Sequence, residues 1–226
     1  LSAEGVDDDG EQVVMTYDAF AARLVSEHCL WLGYEGDPRM VTGAARFRLA
    51  SRVVTTAAGP FDHLVRLRPG TVTERVLDLD SQLQAHLVNP DELDAHARRY
   101  LVELERAPLN RLRNVYRSVR EAGPVAMERL ELASLVRTYQ ELKRRTGHVE
   151  FADQMAAAAR LATEVPAVSE SLRQQFPVVL LDEYQDTSSA QAVLLRELFS
   201  GPDAASGLGH PVTAVGDPFQ AIYGWR

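Results

Sequence analysis

The spacing of hydrophobic and polar residues changes twice along this chain. Residues 178–181 and 212–215 form short apolar runs, which are typical of strands buried on both faces of a parallel sheet. The stretch between residues 36 and 146 instead has apolar positions at helical spacing, without β-type alternation. It predicts helices at 40–57, 72–88, 91–106, 108–121 and 125–146. The pattern therefore predicts an α/β layer that is interrupted by a helical insert.

The changes of spacing near residues 36 and 147 mark the boundaries of this insert. We predict that residues 1–35 and 147–226 are two parts of one α/β domain, and that residues 36–146 form a helical subdomain within it. Both apolar runs belong to the second part of the α/β domain.

The first apolar run ends in a cluster of acids, Asp182, Glu183 and Asp186. Ligands of α/β proteins bind at the carboxyl ends of strands, and carboxylates there suit a hard cation such as Mg²⁺. Acids near the start of a helix also favour its macrodipole, so a purely structural role stays open. The candidate N-caps of the helix that follows are Thr187, Ser188 and Ser189.

The second apolar run ends in a Gly-Asp-Pro turn. Gly216 lets the chain turn sharply and Pro218 presets the backbone of the turn, which then presents Gln220. A glutamine at this strand end could reach the terminal phosphate of a nucleotide whose Mg²⁺ lies at the first strand end. Tyr223 and Trp225 follow closely and offer flat faces for bases.

The composition narrows the class of protein. The chain has 226 residues, of which 46% are apolar, and this is typical of one globular domain or two small ones. The single cysteine, Cys29, excludes an internal disulfide and a cysteine-based zinc cluster, which fits a reducing cytoplasm. No targeting signal and no apolar run of membrane length occurs in the sequence. We therefore expect a cytoplasmic protein without a membrane partner.

The net charge of −8 argues against a protein that holds nucleic acid by bulk charge. Any contact with DNA must therefore be local. Arg113, Arg117 and Arg120 have the spacing of one helical face and are candidates for phosphate contacts. The alternative is a solvated face that is paired with nearby glutamates.

Two strings of the sequence resemble motifs II and III of the UvrD/Rep family of superfamily 1 DNA helicases. They are LLDEYQDT at 180–187 and VGDPFQAIYGWR at 215–226. TYDAFAARLVSEH at 16–28 is similar to the TFHSF segment of the same family, whereas residues 36–140 match only by position. The resemblance implies a partial RecA-like P-loop NTPase domain, called 1A, with an inserted helical subdomain, called 1B. It also implies ATP and Mg²⁺ as cofactors, and single-stranded and duplex DNA as partners.

The resemblance also implies roles for individual residues. Asp182 would hold Mg²⁺, Glu183 would be the general base that polarises the attacking water, and Gln220 would sense the γ-phosphate. Gln185, Asp186 and Asp217 would couple the nucleotide state to neighbouring strands. Tyr223 would contact the nucleotide, and the implied DNA contacts are Thr16, Tyr17, Trp225 and Arg226. For Thr16 and Tyr17 the alternatives are a helix cap and a core residue.

The sequence contains no G-x-x-x-x-G-K-[ST] phosphate-binding loop. The resemblance therefore leads us to expect a fragment of a 3′–5′ repair or recombination helicase that is inactive alone. The rest of such a chain would supply the Walker A segment and a second RecA-like domain, and a helicase-nuclease partner subunit is a further candidate. Two other classes stay open: a non-catalytic DNA- or protein-interaction module, and a metal-dependent nuclease that uses Asp182, Glu183 and Asp186 as ligands.

Overall fold

The computed structural model describes residues 13–33, 39–200 and 209–221. Within these residues the protein is mostly helical, with two small parallel sheets of two strands each. The helices are α1 (Tyr17–Glu27), α2 (Gly43–Thr56), α3 (Pro69–Ala85), α4 (Pro90–Glu105), α5 (Arg117–Arg145), α6 (Phe151–Glu164), α7 (Pro166–Gln175) and α8 (Ser189–Phe199). The strands are β1 (Arg39–Met40), β2 (His148–Val149), β3 (Val179–Leu181) and β4 (Val212–Ala214). None of the described helices is long and apolar enough to cross a bilayer.

The strands β3 and β4 form the predicted parallel pair, and helices cover one of its faces. Leu181 is buried in a core with side chains of α1, α6, α7 and α8, such as Leu24, Leu161, Leu172 and Leu194. In the register of the pair, Leu181 lies opposite Ala214. This pairing places the ends of both strands side by side, at the same edge of the sheet.

The prediction that this strand is buried on both faces is wrong for the described residues. Alternate side chains of a strand point to opposite faces, so Val179 and Leu181 turn toward the helices. Val178 and Leu180 turn the other way, and Leu180 is 74% exposed. In the part of the chain that the structure describes, the helices thus cover the pair β3–β4 on the side of Leu181 only, and all three residues of β4 are exposed, so the predicted burial of the second apolar run is wrong there as well.

The helical insert largely follows the predicted pattern, with one correction. The helices predicted at 108–121 and 125–146 are a single helix, α5, which begins at Arg117 and contains Pro124 in its interior. The proline removes one backbone donor, which is why the sequence pattern favours a break there. Packing of α5 along both α3 and α4 outweighs this loss and keeps the helix continuous.

The insert has its own hydrophobic core, and the pairing of β1 with β2 joins its two ends. Its buried side chains come from α2, α3 and α5 and include Val76, Leu135, Val136 and Tyr139. At the base, β1 pairs with β2, so that the Arg39 amide donates to the Gly147 carbonyl at 2.8 Å and the Val41 amide donates to the Val149 carbonyl at 2.9 Å. The chain therefore enters and leaves the insert at the same place.

Glu131 of α5 organises a short loop of the insert. Its carboxylate accepts hydrogen bonds from the His63 amide at 3.0 Å and the Leu64 amide at 2.9 Å, and it lies 3.0 Å from the His63 ring. Burial alone would raise the pKa of Glu131, but these hydrogen bonds more than offset burial and hold the pKa below its ordinary value.

We expect Glu131→Ala to lower the free energy of unfolding by about 1–3 kcal/mol at pH 7, because two amides lose their acceptor. The contribution of a carboxylate with a depressed pKa is present above its ordinary value of 4.5 and is lost as the pH falls through the folded-state value. Thermal unfolding of the two proteins at pH 7 and near pH 3 measures this. An equal difference at both pH values would contradict the assigned role.

Candidate functional site

The end of β3 presents the acidic turn in an exposed position. Asp182 and Glu183 follow the buried Leu181 directly and are both exposed. Glu183 has φ 52° and ψ 37°, a left-handed conformation that is uncommon for residues other than glycine. The Asp182 carboxylate accepts a hydrogen bond from the Glu183 amide at 2.9 Å, which fixes the turn locally. Such backbone strain is often concentrated at functional sites.

Helix α8 holds the other end of the acidic turn. Ser188 is its N-cap, as one of the candidates from the sequence, and its hydroxyl accepts from the Gln191 amide at 3.3 Å. The Gln191 side chain in turn accepts from the Ser188 amide at 2.8 Å, which completes a capping box. The acids therefore lie on a short connection between a paired strand and a capped helix.

The turn after β4 packs directly on the acidic turn. The Val215 amide donates to the Leu181 carbonyl at 2.8 Å, and the Tyr184 amide donates to the Val215 carbonyl at 3.0 Å. A Cβ atom added at Gly216 would lie 3.0 Å from the Gln185 backbone nitrogen and 3.2 Å from the Tyr184 nitrogen. Gly216 is therefore required for the close approach of two backbones, and not for the sharp turn that the sequence suggested, because its φ is not positive.

A chain of side-chain hydrogen bonds joins the two turns. The Gln185 amide group donates to the Glu183 carboxylate, and its carbonyl oxygen accepts from the Asp217 backbone amide at 3.0 Å. The Asp217 carboxylate accepts from the Phe219 amide at 2.9 Å and from the Gln220 side chain at 2.8 Å. The structure thus connects Glu183 with Gln220, the two side chains predicted to be catalytic. The family resemblance alone suggested that Gln185 couples the nucleotide state to neighbouring strands. In the structure its side chain contacts both turns.

The N-terminal candidates lie beside the acidic turn. The Tyr17 hydroxyl donates to the Asp182 backbone carbonyl at 3.2 Å, and burial raises the pKa of Tyr17. Thr16 is the N-cap of α1, and its hydroxyl accepts from the Ala19 amide at 3.2 Å. The cap alternative for Thr16 is therefore what the structure shows, and the DNA contacts of both residues remain predictions.

The arginine candidates do not share one helical face. Arg113 lies before α5 with φ 57°, in a turn that the Asn110 side chain stabilises by accepting from two backbone amides. Arg117 and Arg120 are exposed in the first turn of α5, and Arg117 pairs with Glu121 at 2.6 Å. The prediction of a single face is wrong because the helix begins only at Arg117. Tyr223, Trp225 and Arg226 lie outside the described residues.

The exposed acids fit a hydrated cation better than a metal cage. Among the described residues, neither Asp182 nor Glu183 forms an ion pair, so their carboxylates are open to a ligand. Mg²⁺ prefers oxygen ligands and is commonly held by one or two carboxylates while it keeps several waters. Within 13–33, 39–200 and 209–221, no three His, Cys, Asp or Glu side chains converge on a metal position. One oxygen of Asp186 is instead buried and has no hydrogen-bond partner there.

A cleft of about 650 Å³ lies on the helical side of β4 and is lined by Leu181, Leu195, Phe199, His210 and Ala214, among others. Asp182, Glu183 and Gln220 are not part of its lining. The candidate site is therefore an open edge at the strand ends, with the acids accessible from solvent.

Comparison with known proteins gives a family match over most of the chain. The sequence profile of the UvrD/REP helicase N-terminal domain matches residues 10–226. The exonuclease/helicase subunit RexA of Lactococcus lactis subsp. cremoris (strain MG1363) is 38% identical over 90 residues, which are 40% of this chain and 7% of that protein.

Two further relatives are helicases by name. The ATP-dependent DNA helicase UvrD1 of Mycobacterium tuberculosis (strain ATCC 25618 / H37Rv) is 36% identical over 96 residues, 42% of this chain and 12% of the relative. DNA helicase II of Escherichia coli (strain K12) is 38% identical over 88 residues, 39% of this chain and 11% of the relative. The matched part is thus only 7% to 12% of the length of these relatives.

We expect Gly216→Ala to destabilise the site, because the new methyl group would meet backbone atoms of the acidic turn that cannot move away easily. Overpacking of this kind typically costs about 1–3 kcal/mol. Thermal unfolding measures the loss, and faster hydrogen exchange at the Asp217 amide would locate it. Gly70→Ala is the matched control: Gly70 lies in the first turn of α3 with open space around it, and the variant should be neutral or slightly stabilising. Equal behaviour of the two variants would exclude a close-approach role for Gly216.

Proposed function

The chain belongs to the UvrD/REP helicase N-terminal domain family, and from this membership we propose that it is part of the motor of an ATP-dependent DNA helicase. The observation that carries the proposal is the hydrogen-bonded connection between the acidic turn and the Gly-Asp-Pro-Phe-Gln turn, through Gln185. One turn offers carboxylates for metal binding and proton transfer, and the other offers an amide for a phosphate.

We propose that the residues of the two turns divide the work of ATP hydrolysis. The open Asp182 carboxylate would hold Mg²⁺, which when bound neutralises charge on the phosphates. Glu183 would accept a proton from the attacking water, and Gln185 would keep its carboxylate oriented. Gln220, held by Asp217, would contact the γ-phosphate and report its presence to the Gly216–Asp217 backbone. The implied place of Tyr223 is beside the nucleotide.

We further propose that the described strands are a part of a RecA-like sheet. Support comes from the exposed apolar face of β3, where Val178 and Leu180 have no cover among the described residues. In a longer chain, further strands would pair at the edges of this sheet and a helix would cover the exposed face, while a phosphate-binding loop would bind the β- and γ-phosphates. In this proposal residues 36–146 are subdomain 1B, and the parts before and after them are 1A.

The DNA side of the proposal rests on fewer contacts. Exposed Arg113, Arg117 and Arg120 offer a local positive region in an acidic chain, which suits phosphate contacts with single-stranded or duplex DNA. Trp225 and Arg226 are proposed to meet single-stranded DNA, with translocation from 3′ to 5′. The similarity to a protein named exonuclease/helicase subunit supports a nuclease partner subunit as one context.

In the full-length protein, we expect Glu183→Gln to lower the kcat of ATP hydrolysis by about 10²–10⁴-fold, while the Kd for MgATP stays nearly constant. The amide keeps the size of the side chain but cannot accept a proton. Steady-state kinetics and nucleotide-binding titrations separate the two effects. Glu170→Gln, at an exposed glutamate of α7, is the control and should retain full activity. Loss of nucleotide binding in Glu183→Gln would assign that residue a structural role.

We expect the 226-residue chain by itself to hydrolyse ATP at background rate. It has no phosphate-binding loop in its sequence, and an arginine finger from a second domain is alone worth about 10³–10⁵ in rate. The measurement is phosphate release with and without single-stranded DNA. Stimulation by DNA would show that the chain contains a complete motor, and the proposal of a partial motor would be wrong.

A further inference from the structure

A buried lysine lies at the base of the helical insert. The Lys143 side chain, near the end of α5, is only 4% exposed. Its ammonium group is 2.7 Å from Asp80 of α3, 3.2 Å from Glu150 and 2.7 Å from Asp153 at the start of α6. Three carboxylates from two separate parts of the fold therefore share one cation. We call these four side chains the Lys143 cluster.

Two further side chains close the Lys143 cluster. Arg46 of α2 pairs with the Glu150 carboxylate, and it also donates to the Ser81 hydroxyl at 2.6 Å and to a backbone carbonyl of α3. The Tyr139 hydroxyl donates to Glu150 at 2.5 Å, and the Lys143 ammonium lies 4.8 Å from the centre of the Tyr139 ring. The helices α2, α3 and α5 of the insert are thus all tied to the first residues of α6.

The Lys143 ammonium group remains protonated although it is buried. Burial alone would lower the pKa of Lys143, but Asp80, Asp153 and Glu150 more than offset burial and raise it, so the lysine stays charged. Burial raises the pKa of Asp80, whose side chain is 2% exposed. Removing one partner would leave a buried charge without compensation, which is strongly unfavourable.

Helix α3 extends this joint toward the acidic turn. Asp80 fixes the middle of α3 to Lys143, and just beyond the end of α3 the His86 ring lies 3.2 Å from the hydroxyl of Ser189. Leu87 packs against the core that α6 and α8 share. Ser189 is the first residue of α8, directly after the acidic turn. A displacement of the insert would therefore also displace α8, the helix that follows the acidic turn.

We propose that Lys143 is a buried pin that makes the helical insert and the layer carrying the acidic turn move as one body. The pairing of β1 with β2 alone joins only two residues on each side and could act as a hinge. Together with Arg46, the Lys143 cluster connects three helices of the insert to the start of α6 and so prevents rotation about that hinge. The proposal concerns rigidity and holds whether or not the chain is a helicase motor.

The test compares the spread of one distance in the full-length protein. Spin labels at Arg99→Cys on α4 and Glu170→Cys on α7, both exposed positions, report on the insert and on the layer, in a background without other cysteines. Pulsed electron–electron double resonance should give one narrow distribution of the distance between the two labels when Lys143 is present. Lys143→Met should broaden the distribution at least twofold, and it should raise hydrogen exchange at the Arg39 and Val41 amides at least tenfold relative to the Val215 amide.

Arg145→Met is the matched control, since it removes a charge from the same helix end at an exposed position and should leave the distribution narrow. A broad distribution with Lys143 present, or a narrow one in folded Lys143→Met, would overturn the proposal. If Lys143→Met does not fold, the double variant Glu150→Gln/Asp153→Asn is measured instead, because it keeps the lysine paired with Asp80 inside the insert and removes both carboxylates that the lysine meets across the joint. Broadening in this double variant supports the pin, and an unchanged distribution excludes it.

Discussion

The parallel pairing of β3 with β4 is the constraint on which the candidate site depends. It brings two turns that are about thirty residues apart in sequence to the same edge, and the backbone bonds of Val215 continue the contact beyond the strands. The close approach is possible only because Gly216 has no side chain. Once the backbones meet, Gln185 can contact both turns, and the acids acquire a fixed relation to Gln220.

The protein uses carboxylates in two opposite environments, and burial decides what each group can do. Asp182 and Glu183 are exposed, unpaired with any described cation and placed on a strained turn, so they can bind a ligand. Asp80 and Glu150 are buried and already paired with Lys143 or Arg46. Their carboxylate oxygens are therefore occupied by these partners, and they stabilise the arrangement of the helices. Carboxylates are thus open to a ligand at one place and stabilise the architecture at the other.

The family match and the contact between the two turns are independent lines of support for the proposed function. The family match covers nearly the whole chain, although the aligned relatives are much longer. The geometry adds the connection from Glu183 through Gln185 and Asp217, which places the residues of motifs II and III in contact. It also adds the joint at the base of the insert, whose contacts none of the motif strings predicts.

The sequence by itself determined the features that local rules control. The positions of β3 and β4, the cap of α8 and the acids at a strand end follow from short-range patterns, and the motif strings identify the family, whereas the short strands β1 and β2 were not predicted. Only the tertiary structure decided which face of β3 is covered, why Gly216 is a glycine, and that α5 continues through Pro124. The partner of Lys143 could not be predicted either, since Asp80 lies 63 residues away. Such contacts depend on how distant segments pack, and no local pattern encodes that packing.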